Sequence, residues 1–400
     1  MKPWRTGTIA SSPWPGRAVT AMLKQCLAIM RREVFYLWRD KGLRHILLFG
    51  SLMGLLLFYA IYSAQVLKDI PTAVVDLDNS GASRELVDKI GKAEYLKLVA
   101  SVASYDDLQE LIKQGKAVVG VVIPENFARD VALGRQTRVL AVIDGSNMIY
   151  ATNASAALLT VTRTISAQAG VSALVARGVQ LQQAKEAYQA IDFSEEPWFN
   201  PALNYAYFLV LALALNIWQQ CCTLAACLNV IGERGMKSWL QIKASGISKF
   251  RFFASKSIAQ VLIFMAIVLP LYILAFGVFK LPLNCSWPSF LLFTLAFAIA
   301  IHSIGTLASS FARNAVDAAR FGMIIAVPSF VLSGYTWPLE AMPYYLQRIA
   351  RILPQTWFFQ GLNYFAFKNA GWNLMSHYIL VMLAVAAVCY GAAAIFIARS

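Results

Sequence analysis

The sequence predicts an α-helical integral membrane protein into which an α/β domain is inserted. The 400-residue chain is 58% hydrophobic and 14% charged, whereas soluble domains carry roughly a quarter charged residues. Of its 21 Asp and Glu residues, 16 lie between Ser63 and Pro201, together with 13 of its 35 Lys and Arg. The insert is therefore polar and close to neutral, while the rest of the chain is apolar, basic and nearly free of acids.

Six segments outside the insert are apolar for about the 20 residues that a helix needs to cross a bilayer. The fifth is the weakest, because it is short and contains Pro328. The six predicted transmembrane helices run near 45–62, 202–228, 258–279, 290–311, 319–334 and 378–398.

The distribution of basic residues predicts the orientation of the chain. Residues 1–44 carry nine Lys or Arg and two acids, and the loop 229–257 carries six and one. Because cytoplasmic loops are enriched in Lys and Arg, both segments and both termini are expected in the cytoplasm, and residues 63–201 outside. This rule also explains the net charge of +14, so nucleic acid is not expected as a partner. The expected location is the inner membrane of a bacterium.

Within the N-terminal segment, residues 18–41 are apolar on one helical face and basic on the other. We favour an interfacial helix that lies on the inner leaflet. The alternative is an amphipathic helix that packs on another protein domain. The apolar repeat consists of Leu23, Leu27, Met30, Val34 and Leu37, and the basic residues expected to face headgroups are Arg31, Arg32, Arg39 and Lys41.

The insert, residues 63–201, reads as a small α/β domain with a long helical arm. A capping signal at Ser104 begins one of its helices. The arm is expected from Asn147 to about Tyr188 as a helix of about 42 residues, roughly 60 Å long, which Gly170 and Gly178 could bend. Four β-rich runs lie at 72–76, 96–102, 117–123 and 139–143.

Few residues suggest chemistry of their own. Asp76 and Asp78 could form a cation site or a catalytic dyad, but a strand end followed by an Asp/Asn/Ser/Gly turn is favoured. His302 is the one clear ionisable residue inside the predicted spans, and a helix-packing hydrogen bond is its favoured role. A carrier driven by protons or sodium usually needs buried acids or bases at mid-membrane. Any uphill transport is therefore expected to be driven from outside this chain.

The loop 229–257 is the expected entry point for that energy. A solvated connector is the alternative interpretation. Its apolar residues, Trp239, Leu240, Ile242 and Phe250, favour a surface that docks on protein or lipid.

Three stretches give the chain its resemblance to a known family. The first is Glu233-Arg234-Gly235, followed by a Leu-rich helix, Gly246 and Lys256. The second is Ser333-Gly334 with Pro338, Met342-Pro343 and Pro354, which matches an S-G-x-x-x-P…M-P…P-x-T pattern. The third is the VVDLDNS run that begins at Val74. Together they resemble the ABC-2 type permease family, in the subgroup with a large external domain after the first span.

The resemblance implies roles for two groups of residues. The segment 229–257 is expected to couple to an ATPase, and the segment 335–377 is expected to be re-entrant and to close the outer end of a path. The implied ATPase-coupling residues are Glu233, Arg234, Gly235, Lys237 and Gly246, and the implied outer-gate residues are Ser333, Gly334, Pro338, Met342, Pro343 and Pro354.

The resemblance also implies partners. These are a cytoplasmic ABC ATPase subunit that holds ATP and Mg, a second permease copy or a paralogue, a periplasmic adaptor, and membrane lipid. No cofactor or metal is expected in this chain, and it is not expected to be an enzyme.

The expected function is that of a permease subunit that moves an amphiphilic, drug-like or lipid-like substrate outwards. The alternative is a membrane-anchored sensor or scaffold whose external domain binds a ligand. A sensor should work without its last four spans, and an exporter should not.

Overall fold

The computed structural model describes residues 15–63, 67–188, 198–235 and 247–399. The chain divides into two compact units, one formed by residues 1–63 and 204–400 and the other by residues 64–203. We call them the membrane unit and the α/β unit. The side of the membrane on which the α/β unit lies stays a prediction.

The described residues form the following strands and helices. The strands are β1 (Ile70–Asp76), β2 (Leu96–Val102), β3 (Val119–Ile123) and β4 (Leu140–Ile143). The helices are α1 (Pro15–Arg39), α2 (Lys41–Ile61), α3 (Gly81–Gly91), α4 (Tyr105–Lys113), α5 (Phe127–Ala132), α6 (Met148–Ala176), α7 (Leu181–Tyr188), α8 (Tyr205–Ala226), α9 (Ile231–Gly235), α10 (Lys249–Val278), α11 (Trp287–Phe311), α12 (Ala315–Leu332), α13 (Tyr344–Ile352), α14 (Pro354–Leu362) and α15 (Trp372–Arg399).

The α/β unit is built on a four-stranded sheet of order β2-β1-β3-β4, in which only β4 runs antiparallel. Side chains alternate across the central strand: Val74 lies in a core with Leu86 of α3, and Ala73 and Val75 lie in a second core with Leu108 of α4. Both faces are therefore covered, as parallel strands require. All four strands lie within two residues of the predicted runs.

The helical arm of the α/β unit is shorter than the sequence predicts. α6 continues through Gly170 but ends at Ala176, and Gly178 adopts φ +89° before α7 begins. A left-handed backbone conformation cannot continue a right-handed helix. The prediction of one continuous helix of about 42 residues is therefore wrong. α6 has 29 residues, about 43 Å, and it begins with Asn147 accepting from the N–H groups of Ile149 and Tyr150.

Seven described helices are long and apolar enough to cross a membrane, by length and composition. Six of them, α2, α8, α10, α11, α12 and α15, correspond to the predicted spans. The seventh is α6, whose residues Ala154, Ala157 and Leu158 belong to the core of the α/β unit. The chain is a multi-pass membrane protein, and the figure of six crossings stays a prediction.

α11 is the central helix of the membrane unit, and it packs along α8 and α15. Its Phe297 ring stacks on Phe358 of α14 with centroids 3.9 Å apart. At Gly305, a Cβ would lie 2.5 Å from Ala226 Cβ and 2.9 Å from the Thr223 carbonyl. The approach of α8 to α11 therefore depends on glycine at this position.

α1 has a protein partner as well as an exposed apolar face. Ile29 and Leu37 are buried, and α1 packs against α10. Leu37 thus faces protein, and neither interpretation of this helix predicted that its partner is a spanning helix of the same unit. The opposite side leaves large apolar residues exposed, namely Leu23, Leu27, Val34, Phe35 and Trp38, and these fit the predicted contact with the inner leaflet.

Candidate functional site

A buried group of charges lies where α1, α9 and α10 meet. The Lys256 ammonium is 2.8 Å from Glu233 Oε1 and 3.5 Å from Glu33 Oε2. It also donates to the Asn229 carbonyl at 2.9 Å. Each of the three charged residues is 1% exposed. Because buried charges are tolerated only when they are paired and hydrogen-bonded, these contacts hold the three helices together.

Arg32 completes the group from the side that is open to solvent. Its guanidinium donates to both oxygens of Glu233, at 3.0 and 2.9 Å, and its side chain is 43% exposed. This two-bond geometry is the strongest form of Arg–carboxylate pairing, and it raises the pKa of Arg32. We call Arg32, Glu33, Glu233 and Lys256 the charge cluster. Its two cations balance two carboxylates.

The negative charge of Glu33 is costly because its carboxyl is buried. Burial raises the pKa of its carboxyl above the ordinary value, since a carboxylate loses its hydration in the protein interior. The Lys256 charge and the Gln260 amide oppose this shift because they stabilise the charged form, and they do not cancel it. Glu33 therefore protonates more readily than an unperturbed glutamate.

The short helix α9 is tied to α11 by hydroxyl groups. Ser309 Oγ accepts from the N–H groups of Val230 and Ile231 at 2.9 and 3.0 Å. Asn229 Nδ2 donates to Thr306 Oγ1 at 3.0 Å. A helix N-terminus leaves N–H groups without intrahelical partners, and here α11 satisfies two of them. A shift of α9 would consequently be transmitted to α11.

Hydrogen bonds extend from the charge cluster into the membrane unit. Gln260 Nε2 donates to Glu33 Oε1 at 2.6 Å, and Gln260 Oε1 lies 2.8 Å from His302 Nε2. His302 Nδ1 lies 2.8 Å from the Tyr390 hydroxyl. Because an amide oxygen only accepts, His302 donates from Nε2 and accepts at Nδ1. The row connects α1, α10, α11 and α15, and His302 has the helix-packing role that the sequence favours.

The structure describes three of the five predicted coupling residues. Glu233 is in the charge cluster, and Arg234 donates to the Ser310 carbonyl at 3.3 Å. Gly235 ends α9. Lys237 and Gly246 lie outside the described residues.

One expectation for the N-terminal helix is wrong. Arg32 does not face headgroups, because its guanidinium holds Glu233. An ionic partner on a distant segment overrides the position of Arg32 on the helical wheel.

The predicted outer-gate residues form one tight turn and two helix starts. Ser333 Oγ donates to the Phe330 carbonyl at 2.6 Å, and Gly334 has φ +82°. Pro338 and Met342 flank a single 3₁₀ turn. Pro343 precedes α13, and Pro354 is the first residue of α14.

Each of α13 and α14 has nine residues, about 14 Å, which is too short to cross the hydrocarbon core. Buried amides connect this region to the spans, since Gln355 donates to Gln219 at 3.1 Å and Gln219 donates to the Ala326 carbonyl at 3.0 Å. The re-entrant course of 335–377 and its role as a gate stay predictions.

The carboxylates of Asp76 and Asp78 hold a turn. Asp76 Oδ1 accepts from the N–H groups of Asp78 and Asn79, and its Oδ2 accepts from the Ser83 hydroxyl. Asp78 accepts from the Ala128 N–H at 3.0 Å. These bonds agree with the favoured interpretation of Asp76 and Asp78, a strand end followed by a turn. Among the described residues, no group of three His, Cys, Asp or Glu side chains could hold a metal ion.

Sequence reasoning did not predict that Glu33 and Gln260 belong to the site, or that Arg32 pairs with Glu233. A signal was present for Glu33. Outside 63–201 the sequence has only five acids, 21 minus 16, and Glu33 is the one that interrupts an apolar, basic helix. No sequence pattern indicated Gln260.

Comparison with known proteins assigns the family. The model of the ABC-2 family transporter protein matches residues 44–396. The probable multidrug ABC transporter permease YbhR of Escherichia coli K12 is 23% identical over 93% of this chain and 98% of its own length. The inner membrane transport permease YhhJ of the same organism is 24% identical over 86% of this chain and 91% of its own length. YbhS, another probable multidrug ABC transporter permease of E. coli, is 24% identical over 64% of this chain and 67% of its own length.

The family model covers both compact units, and two of these relatives align along nearly the whole chain. The multi-pass helical architecture agrees with this match. The chain therefore belongs to the ABC-2 family of transporters, as a membrane protein of the permease type and not a catalytic subunit.

Proposed function

We propose that this chain is the permease subunit of an ATP-driven exporter, with ATP and Mg bound by a separate ABC ATPase in the cytoplasm. The observation that carries the proposal is the charge cluster. It joins α1 and α9, which the positive-inside rule assigns to the cytoplasmic face, to the spanning helix α10. A force applied to α1 or α9 would thus move α10.

The proposed mechanism is rigid-body motion of the helices. Closure of the ATPase displaces the segment around α9. Through the charge cluster the displacement reaches α10, and through Ser309 and Thr306 it reaches α11. Packed interfaces switch between discrete arrangements rather than deforming continuously, which would let a small cytoplasmic shift open the path.

Burial changes the role that we assign to Glu233. A carboxylate that is 1% exposed and bound to Arg32 and Lys256 positions α9 and does not itself touch the ATPase. The direct contacts would come from exposed residues of the same face and from 236–246.

The proposed substrate is an amphiphilic, drug-like or lipid-like molecule. Two of the relatives described above carry multidrug permease in their names, and the walls of the membrane unit are apolar and aromatic. Two permease copies, or this chain with a paralogue, would surround the path. The α/β unit would lie outside and receive a periplasmic adaptor. The residues 333–354 would close the outer end.

The test is purification of the tagged chain with its ATPase, followed by measurement of ATP hydrolysis and of efflux of a fluorescent amphiphile. We expect the double variant Arg32→Gln/Glu233→Gln to keep the ATPase bound but to lose most of its efflux, because α9 then loses its ion pairs to Arg32 of α1 and to Lys256 of α10.

The matched control is Asp317→Asn/Arg320→Gln, which removes an exposed ion pair at 3.4 Å on another turn. It should leave efflux unchanged. Normal efflux in the cluster variant, or a purified chain that never associates with an ATPase, would overturn the proposal. The alternative function, a membrane-anchored sensor or scaffold, would then be favoured.

A further inference from the structure

A groove of about 720 Å³ lies in the α/β unit, between α6 and the segment that joins α5 to β4. Ligand sites in proteins have volumes of about 300–1,000 Å³, mainly apolar walls and a few polar groups that fix the ligand. The volume of this groove falls within that range. Its apolar walls come from Leu86, Phe127, Val131, Val139, Ile165 and Leu174.

The groove is elongated along α6. Its lining on this helix extends from Thr162 to Arg177, about 23 Å at 1.5 Å per residue. The small residues Ala169, Gly170 and Ala173 belong to this stretch, and their short side chains leave space above the helix. A long cavity with apolar walls suits an extended hydrocarbon chain, because burial of apolar surface is favourable in proportion to its area.

The lining also contains three arginines, Arg135, Arg163 and Arg177, and no Asp or Glu. Two of them lie at the same end of the groove. After α5 the chain turns at Gly134, which has φ +67°, and the Arg135 N–H donates to the Asp130 carbonyl at 2.8 Å. Arg177 Nη2 lies 3.9 Å from the position that a Cβ would take at Gly134. Its guanidinium therefore reaches the turn that carries Arg135.

The guanidinium groups at this end have no acidic partner. Within the part of the chain that the structure describes, neither Arg135 nor Arg177 forms an ion pair. Both side chains are exposed. A guanidinium binds a carboxylate or a phosphate through two parallel hydrogen bonds. Two unpaired guanidinium groups beside an apolar groove thus suit a ligand that has an anionic group next to its apolar chain.

The same charges disfavour a second copy of the chain as the occupant of the groove. α6 contains no Asp or Glu, so two α6 helices packed together would bring arginine against arginine. Like charges that face each other across an interface are costly. The positive potential along the groove, to which Arg163 adds, instead attracts an anion.

We infer that the groove binds a single-chain amphiphile with a carboxylate group, with the hydrocarbon chain on Phe127 and Ile165 and the carboxylate at Arg135 and Arg177. This site goes beyond the proposed function. It requires neither the ATPase nor a particular side of the membrane, so its failure would leave the proposal on coupling unchanged.

The test uses the full chain in phosphatidylcholine nanodiscs and dodecanoate that carries a photoreactive diazirine near the end of its chain. Cross-links are mapped by mass spectrometry of peptides. We expect saturable labelling of α5 and of the second half of α6. Labelling of the membrane unit, which reports partition of the probe into the bilayer, serves as the internal standard.

Two variants test the carboxylate end. Arg135→Gln/Arg177→Gln should lower the labelling of α6 about tenfold or more, because the carboxylate loses both guanidinium groups. The matched control is Lys97→Gln/Lys116→Gln, which removes two exposed cations of the same unit outside the groove and should retain the labelling. The same probe with an alcohol in place of the carboxylate should label α6 at least about tenfold less than dodecanoate does.

Two further variants test the apolar groove. Ala173→Trp fills it from a lining position on α6 and should lower the labelling about tenfold. Val175→Trp, at a position that is 41% exposed and outside the lining, should retain it.

Four results would overturn the inference. Equal labelling by the alcohol, or full labelling of Arg135→Gln/Arg177→Gln, would show that the arginines do not bind the head of the ligand. Competition by inorganic phosphate at the probe's own concentration would indicate a site for a free anion. Labelling of the same peptides by a diazirine phosphatidylglycerol built into the nanodisc would assign the groove to bilayer lipid.

Discussion

Lys256 is the residue on which the contacts of the charge cluster converge. Its ammonium is buried between two carboxylates that are 200 residues apart in the sequence, Glu33 and Glu233. Removal of one partner from a buried ion pair leaves an uncompensated charge, and such changes are strongly destabilising. Exposed pairs are worth far less. The energetic weight of the cluster is thus set by burial rather than by distance.

Lys256→Met should therefore destabilise the protein by about 3–5 kcal/mol, as measured by denaturant unfolding in detergent micelles. The matched control is Lys92→Met, which breaks an i,i+4 pair whose side chains are 74% and 55% exposed, and it should cost about 0.3–0.5 kcal/mol. Similar losses in the two variants would show that the cluster is not buried in the folded protein.

Glu33→Gln gives a prediction about pH. Burial raises the pKa of the Glu33 carboxyl above the 4.5 of an unperturbed glutamate. A carboxyl with a raised pKa stabilises the folded state below its unfolded pKa, and this stability is lost as pH rises through the folded value. The free energy of unfolding of the wild type minus that of Glu33→Gln should consequently fall as pH rises above 4.5. Unfolding at several pH values measures this difference, with exposed Glu340→Gln as control. A difference that stayed constant or rose with pH would contradict the burial of an ionisable Glu33.

Sequence reasoning found half of this cluster. Glu233 was indicated by its motif, and Lys256 by its place before a span, because both are read from local patterns. Arg32 was assigned to headgroups, since helical periodicity gives the face of a residue but not the distant segment that the face meets. The scarcity of acids outside the insert was the one available clue to Glu33.

At the scale of elements, the crossing of α8 and α11 is set by small residues. A Cβ at Gly305 would meet both Ala226 Cβ and a backbone carbonyl, and backbone cannot move aside without shifting a helix. Small residues allow close approach of membrane helices in this way.

Gly305→Ala should destabilise the protein by about 1–3 kcal/mol, the usual cost of overpacking, and Ala226→Gly in the same chain should restore part of the loss. Thermal unfolding followed by tryptophan fluorescence measures both. Gly391→Ala is the control, because its Cβ would meet nothing within 4 Å. An unchanged midpoint for Gly305→Ala would mean that the two helices are further apart than described.

The turn before α13 offers a second element-scale prediction. Gly334 has φ +82°, and an added Cβ would lie 2.6 Å from Gln360 Nε2 and 2.7 Å from Leu339 Cγ. Gly334→Ala should therefore reduce efflux more than ATP hydrolysis if 333–354 forms the outer gate. Gly371→Ala, with open space around it, should leave both unchanged. An equal loss of efflux and hydrolysis would place the defect in folding rather than in a gate.

The sequence predicted the elements better than their ends. The four strands were correct, because β-rich runs bounded by turn residues report their own limits. The arm was too long, since a single residue in the left-handed region at Gly178 ends α6 and sequence alone does not fix φ. The packing of α1 on α10 was missed for a related reason: it depends on contacts that no local pattern encodes.

At the scale of the whole molecule, the separation of the chain into a membrane unit and an α/β unit follows from where the acids lie. Burial of a charge in hydrocarbon is costly, so a chain with acids concentrated in one stretch folds that stretch apart from its spans. The two compact units begin and end close to that stretch. The orientation across the membrane rests on the basic loops alone, and labelling measures it directly.

In a variant whose six cysteines are replaced, a single cysteine at Lys113 of α4 or at Arg313 between α11 and α12 reports the side of each unit. Both positions are exposed. If the positive-inside rule holds, a membrane-impermeant maleimide added to intact spheroplasts should label Lys113→Cys at once and Arg313→Cys only after lysis. Labelling of both in inverted vesicles with added detergent is the control for reactivity. The opposite pattern would put the charge cluster on the outer face, out of reach of a cytoplasmic ATPase, and the coupling proposal would fail with it.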